Sequence, residues 1–230
     1  MKKEWLFQVK AFIFDMDGVI TDTMPYHFAA WKKVFKEQGI KVNYFDIYKR
    51  EGQAGLASVV EILKEKKIKF TLQEAKLLLA KKEELFKRIV KTRFVTGARP
   101  FIRFLKKQGF LLGLVTGTSR QEMERILPGH ILDLFDATVT GDEVRKSKPH
   151  PEPFLKALKL LRVKPNEAVV IENAPFGIKA AKKGGLFCLA LKTSLPGRFL
   201  KEADIVLNSY PEFKKFCEFL KRNKLECREY

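Results

Sequence analysis

The segment Val9-Lys10-Ala11-Phe12-Ile13-Phe14-Asp15-Met16-Asp17-Gly18-Val19-Ile20-Thr21-Asp22-Thr23 decides how the chain is read. Its apolar run climbs to Phe14 and breaks into two carboxylates one residue apart, with a glycine behind them. Such a run predicts a fully buried strand whose carboxyl end opens onto solvent. Parallel sheets place ligands at that end. Side chains alternate along an extended chain, so Asp15 and Asp17 point to the same side. Converging carboxylates repel unless a cation or a shared proton separates them. A hard divalent cation such as Mg²⁺, bound by one or two carboxylates together with substrate phosphate, resolves the conflict. The plainer alternative is a solvated Asp-x-Asp-Gly turn.

Beyond this stretch the pattern turns helical. Pro25 to Phe35 carries apolar residues at helical spacing; Thr23 is placed to cap it, Pro25 suits its first turn, and His27 and Trp31 share a face. Ala57 to Lys66 is amphipathic, and Thr71-Leu72-Gln73-Glu74 reads as a capping box opening a long helix to about Val90. From Thr96 the pattern alternates. Strands are expected at Leu111–Val115, Ala137–Val139, Ala168–Ile171, Leu186–Leu191 and Asp204–Leu207. Helices are expected at Ala98–Gln108, Ser119–Leu127, Glu152–Leu161, Pro175–Lys183 and Glu212–Lys221, with a turn at Pro128-Gly129. Short strands alternating with helices imply right-handed βαβ units. The expected fold class is α/β: a Rossmann-like, doubly wound parallel sheet with an inserted α-helical cap. The core spans residues 1–22 and 93–230, the cap residues 23–92.

Three further strand ends carry chemistry. Thr116-Gly117-Thr118-Ser119 ends one strand and opens a helix, where a hydroxyl beside free backbone N–H groups suits a phosphate oxygen; Ser119 can cap that helix at the same time. Pro149 biases Lys148 toward extended geometry, and a lysine fixed there can neutralise a nucleophile and a phosphate together, although loop lysines are usually solvated. Val169-Val170-Ile171-Glu172-Asn173 ends in an acid and an amide, and Asn173 is also a candidate helix cap.

Together these stretches resemble the four motifs of the haloacid dehalogenase superfamily, from about Val9 to Leu191. The cap insertion is similar to that of the subfamily containing β-phosphoglucomutase and many sugar phosphatases. The resemblance implies that Asp15 is the nucleophile and Asp17 the general acid/base. It also implies that Thr116, Gly117 and Lys148 hold the phosphoryl group, and that Mg²⁺ is bound through Asp15, Asp17 and Asn173 with Glu172 contributing. Asn173 stands where the family usually has a second acid, so the site is short of one negative charge. His27, Trp31 and Lys82 are the candidate substrate residues of the cap. The mutase grips a distal phosphate with a cap-loop arginine; Gly52-Gln53-Ala54-Gly55-Leu56 offers no basic residue, though Arg50 is near, which favours hydrolysis. The implied activity is a Mg²⁺-dependent phosphatase acting on a small sugar phosphate through an aspartyl-phosphate. A phosphosugar mutase and a non-catalytic nucleic-acid or partner-binding protein are the alternatives.

Composition bounds the rest. Among 230 residues, 45 Lys and Arg against 27 Asp and Glu leave a formal charge of +18. The basic residues recur throughout, mostly beside Glu or on polar helix faces, which is the pattern of a solvated surface; a nucleic-acid binder concentrates them. No apolar run approaches the roughly 20 residues of a membrane span. Cys188, Cys217 and Cys227 lack metal-ligand spacing and read as reduced, mostly buried thiols of a cytoplasmic protein. A monomer is the expected state.

Overall fold

The computed structural model describes residues 9–215. Strand β1 (Ala11–Phe14) is buried at all four positions. The insertion that follows is built from four helices: α1 (Met24–Glu37), α2 (Tyr44–Tyr48), α3 (Gly55–Glu65) and α4 (Leu72–Ile89). The chain continues through α5 (Ala98–Lys107), β2 (Leu111–Val115), α6 (Arg120–Ile126), α7 (Gly129–Leu132) and β3 (Ala137–Val139). Then come α8 (Glu152–Leu161), β4 (Ala168–Glu172), α9 (Pro175–Lys183), β5 (Phe187–Leu191) and β6 (Ile205–Leu207). The strands form one parallel sheet in the order β3-β2-β1-β4-β5-β6, so the fold class is the doubly wound α/β expected from the sequence.

Alternation in β1 shows why the sheet must be covered twice. Phe12 and Phe14 enter one apolar cluster with Phe101, Ile102 and Leu105 of α5 and Met123 of α6. Ala11 and Ile13 enter another with Phe154, Ala157 and Leu158 of α8 and Ile178 of α9. Each large side chain so buried contributes roughly 1.5–3 kcal/mol. The inserted helices build a third cluster of their own around Trp31, Phe35, Val59, Ile62 and Leu78.

Strand register fixes the site. Phe14 pairs with Leu114 of β2 and Ile171 of β4, and the Asp15 amide donates to the Ile171 carbonyl at 3.0 Å. The carboxyl ends of β1, β2 and β4 are therefore level, with Asp15, Thr116 and Glu172 on one rim. Strand order reverses between β1 and β4, the switch point at which such sheets bind ligands.

Local expectations fared unevenly. The Thr71–Glu74 capping box forms, with the Glu74 amide 3.2 Å from the Thr71 hydroxyl and the Thr71 amide 2.6 Å from the Glu74 carboxylate. Thr23 precedes α1 but its side chain does not cap it; its hydroxyl is committed to Asp17. Helix α2 was not anticipated, although Asn43 and Asp46 form a capping box there. The Pro128-Gly129 turn leads into the short α7. Residues 210–215 are helical; the rest of the helix expected to Lys221, with Cys217 and Cys227, lies outside the described residues. Cys188 is free and buried. Among the described residues no helix is long and apolar enough to cross a membrane.

Candidate active site

Asp15, Lys148 and Glu172 form a closed ionic cluster. Lys148 is fully buried, and its ammonium donates to Asp15 Oδ1 at 2.6 Å, Glu172 Oε1 at 2.7 Å and the Val115 carbonyl at 3.3 Å. Burial alone would lower the lysine's pKa; the charges of Asp15 and Glu172 more than offset it, and the pKa is raised. The second oxygen of Glu172 accepts the backbone amide of Asn173 at 3.0 Å. Helix α9 packs onto this carboxylate so closely that a Cβ at Gly177 would lie 1.8 Å from Glu172 Oε1. Asp15 Oδ2 has no hydrogen-bond partner among the described residues, and burial drives this carboxyl upward against the pull of Lys148.

Asp17 has different company. Its Oδ1 accepts the Thr23 hydroxyl and faces His27 Nε2 at 3.4 Å; its Oδ2 lies 3.3 Å from the Thr118 hydroxyl and 3.5 Å from that of Thr116. Burial opposes its ionisation, but the His27 bond and charge, then Thr23 and Lys82, hold its pKa below the ordinary value. His27 in turn is lowered, by burial and by Lys82. The pair is therefore an ionised Asp17 receiving a proton donor from a neutral imidazole, which stacks on Phe86 at 4.0 Å between ring centroids. His27 thus packs against Phe86 and faces Asp17 at the same time.

The β2 turn contributes backbone as well as hydroxyls. Thr116 Oγ1 accepts the Thr118 amide at 3.1 Å, and Ser119 caps α6 through the Glu122 amide. Gly117 faces the loop between α2 and α3: a Cβ there would sit 2.6 Å from the Gly52 carbonyl. On the other side of that loop, a Cβ at Gly52 would lie 2.8 Å from Lys148 Nζ. The inserted helices thus bring residues 50–53 into direct contact with the strand ends.

They bring Glu51 with them, a residue that sequence reasoning missed. Glu51 is 5% exposed, and the Asn173 side-chain amide donates to its Oε2 at 2.8 Å and to the Ser194 hydroxyl at 2.8 Å. Burial, then the charges of Asp15, Asp17 and Glu172, push the Glu51 carboxyl well up. Asn173 does not cap α9, whose N-cap is Ala174. Its Oδ1 is buried without a hydrogen-bond partner among the described residues, as is Glu51 Oε1.

Above the rim lies a cavity of about 90 Å³, room for roughly three waters at about 30 Å³ each. Asp17, His27, Trp31, Glu51, Lys82 and Thr118 are among its lining residues. Lys82 is 6% exposed, lies over the Phe86 and Trp31 rings at 4.6 and 5.5 Å, and makes no ion pair among the described residues. Arg50 is taken up elsewhere: it donates to the Asp46 carbonyl at 2.6 Å and pairs with Glu61 and Glu65 of α3. The candidate residues are thus divided in space, with Asp15, Thr116, Lys148, Glu172 and Asn173 on the core rim and His27, Trp31 and Lys82 facing them from α1 and α4.

The donor set suits a hard cation. Among the described residues no three His, Cys, Asp or Glu side chains converge as a complete protein cage. Mg²⁺ asks for less, one or two carboxylates with the remaining positions filled by water and substrate phosphate. The unpartnered Asp15 Oδ2 and Asn173 Oδ1 fit that demand.

The fold and this rim define a doubly wound α/β protein with a capped, acid-rich site at its switch point. The chain belongs to the haloacid dehalogenase-like hydrolases, whose family model matches residues 9–185. It is 33% identical over 212 residues to a phosphorylated carbohydrates phosphatase of Thermotoga maritima, covering 89% of this chain and 95% of that one. It is 31% identical over 208 residues to the β-phosphoglucomutase of Bacillus subtilis, covering 86% and 89%. The crystal structure of β-phosphoglucomutase from Clostridium difficile superposes with a TM-score of 0.80 at 28% identity, covering 96% of this chain and all of that one.

Proposed function

We propose that the protein is a Mg²⁺-dependent phosphatase that hydrolyses a small sugar phosphate through an aspartyl-phosphate. The observation that carries this reading is the division of labour between the two aspartates. Asp15 is clamped to a lysine that keeps its charge, whereas Asp17 sits in a hydroxyl–imidazole network that moves protons.

In the first step the Asp15 carboxylate attacks phosphorus, an O–P bond forms, and the ester O–P bond breaks. Asp17 gives a proton to the departing oxygen. In the second step Asp17 takes a proton from water as that water attacks phosphorus, releasing phosphate and restoring Asp15. The resting Asp17 is in its base form; the dianionic phosphate entering beside it raises its pKa and loads it with the proton needed first. Thr116, Gly117 and Lys148 hold the phosphoryl oxygens. Mg²⁺, held by an Asp15 oxygen, the Asp17 carbonyl and Asn173, would supply positive charge against those oxygens; Glu172, its oxygens taken by Lys148 and the Asn173 amide, would act on it only at a distance. Residues 23–92 act as the cap that excludes bulk water, with His27, Trp31 and Lys82 facing the sugar.

A mutase must hold a bisphosphate at both ends. Lys82, a cation with no ion pair among the described residues, favours that second reading, as do the relatives named β-phosphoglucomutase. Hydrolysis is favoured by the loop 52–56, which has no basic residue, and by the pairing of Arg50 with Glu61 and Glu65. Phosphate release from a panel of sugar monophosphates, with Mg²⁺ or EDTA, tests the proposal. Mg²⁺-dependent release that falls about a thousandfold or more in Asp15→Asn is expected. Isomerisation of a sugar 1-phosphate primed with bisphosphate, without net phosphate release, would instead establish the mutase.

A further inference from the structure

We propose that Glu51 is a metal ligand delivered by the inserted helices, standing in for the carboxylate that the core lacks at Asn173. This rests on the metal dependence proposed above. Three buried oxygens near the switch point have no hydrogen-bond partner among the described residues: Asp15 Oδ2, Asn173 Oδ1 and Glu51 Oε1. Their residues are 1%, 0% and 5% exposed. Buried acceptors without donors are costly and rare, and a divalent cation with a preference for oxygen would satisfy all three at once.

Two observations fix the orientation of these groups. Only the NH₂ of Asn173 can face the Glu51 carboxylate, so the 2.8 Å bonds to Glu51 Oε2 and Ser194 leave the amide oxygen as the free atom. Gly18, in the turn after Asp17 with φ +79°, touches both partners. A Cβ there would lie 2.1 Å from Asn173 Nδ2 and 2.9 Å from Glu51 Oε1. The Asp17 turn, the end of β4 and the inserted loop therefore meet at one point.

Charge points the same way. Glu172 spends one oxygen on Lys148 and the other on the Asn173 amide. Asn173 contributes no charge, so the core offers a cation little beyond Asp15. Glu51 adds the missing negative charge, but from a loop between α2 and α3 rather than from the sheet. Metal affinity then depends on the loop being seated, and a bound metal holds the loop against the strand ends. A hydrogen-bonding role for Glu51 alone would need only an acceptor for Asn173, and this sets the choice of variant: Glu51→Gln keeps an acceptor and removes the charge.

The test is Mn²⁺ titration of the full chain without substrate, followed by the electron paramagnetic resonance of the free ion. The proteins are the wild type, Glu51→Gln, and Glu51→Gln combined with Asn173→Asp. Weakening of about tenfold or more in Glu51→Gln is expected, with recovery to near wild-type affinity in the double variant, which also guards against a mere folding defect. Equal affinity in Glu51→Gln, or no recovery in the double variant, overturns the inference and leaves the metal-dependent reading standing. Failure of the wild type to bind Mn²⁺ overturns both.

Discussion

Two buried lysines face the same site in opposite electrical circumstances. Lys148 is inaccessible, 2.6–2.7 Å from two carboxylates, and holds its proton more tightly than an ordinary lysine. Lys82 is almost as buried, rests on two aromatic rings without an ion pair among the described residues, and holds its proton less tightly. For both, burial lowers the pKa; the partners decide the outcome. The cation of Lys148 is balanced within the protein and belongs to the permanent frame of the rim. The charge of Lys82 is left over, and an anionic group entering the cavity is what would balance it. One lysine is tied into the rim, and the other faces the cavity.

The largest expected effect comes from removing the balanced charge. Lys148→Met leaves Asp15 and Glu172 facing each other in a dry interior, and breaking a buried pair in this way costs about 3–5 kcal/mol. Chemical denaturation should show that loss, and phosphate release should fall by roughly a hundredfold or more because the nucleophile and phosphoryl group lose their shared cation. A stable Lys148→Met protein would break the comparison, since it would mean the cluster is not structural. Lys82→Met should behave the other way. It removes an unmatched buried cation and fills the space with a side chain suited to Trp31 and Phe86, so stability should hold or rise. Catalytic efficiency on the preferred sugar phosphate should drop about 10–100-fold. Equal kinetics for Lys82→Met and wild type would assign Lys82 to packing alone.

The two sides of the site were unequally legible in the sequence. Asp15, Thr116, Lys148 and Glu172 stand where an apolar run stops or a proline intervenes, and the period-two pattern that marks a strand also marks its end. Parallel pairing then makes those ends level, so the core rim follows from local signals. Glu51 has no such signal. It lies in Lys49-Arg50-Glu51, which reads as an ordinary charged surface run, and its burial depends on α2, α3 and the sheet meeting in space. The same limit explains Thr23, which has the composition of a cap but is drawn to Asp17 across the Met16–Thr21 turn. Arg50 stands beside the loop 52–56 in the sequence; its neutralisation by Glu61 and Glu65, a helical turn apart on α3, becomes visible only once the loop is folded.

The smallest effect sharpens the comparison through pH. The groups that bear on Lys82 are Glu122, Glu83 and Asp17, which raise its pKa, and His27, which is neutral in the folded protein; burial outweighs them and the net shift is downward. Between this lowered folded value and the unfolded value of 10.5, the unfolded chain binds more protons than the folded one. Stability contributed by this position therefore rises with pH in that window. Lys82→Met has no such proton to lose. Its melting-temperature advantage over the wild type should be greatest near neutral pH and shrink as pH approaches 10.5, while lysines unshifted by folding cancel in the difference. Lys148, shifted the other way, holds its proton throughout the window and adds no opposing slope below 10.5. A gap that stays constant with pH would mean that Lys82 keeps an ordinary affinity for its proton, and the electrical contrast between the two lysines would be lost.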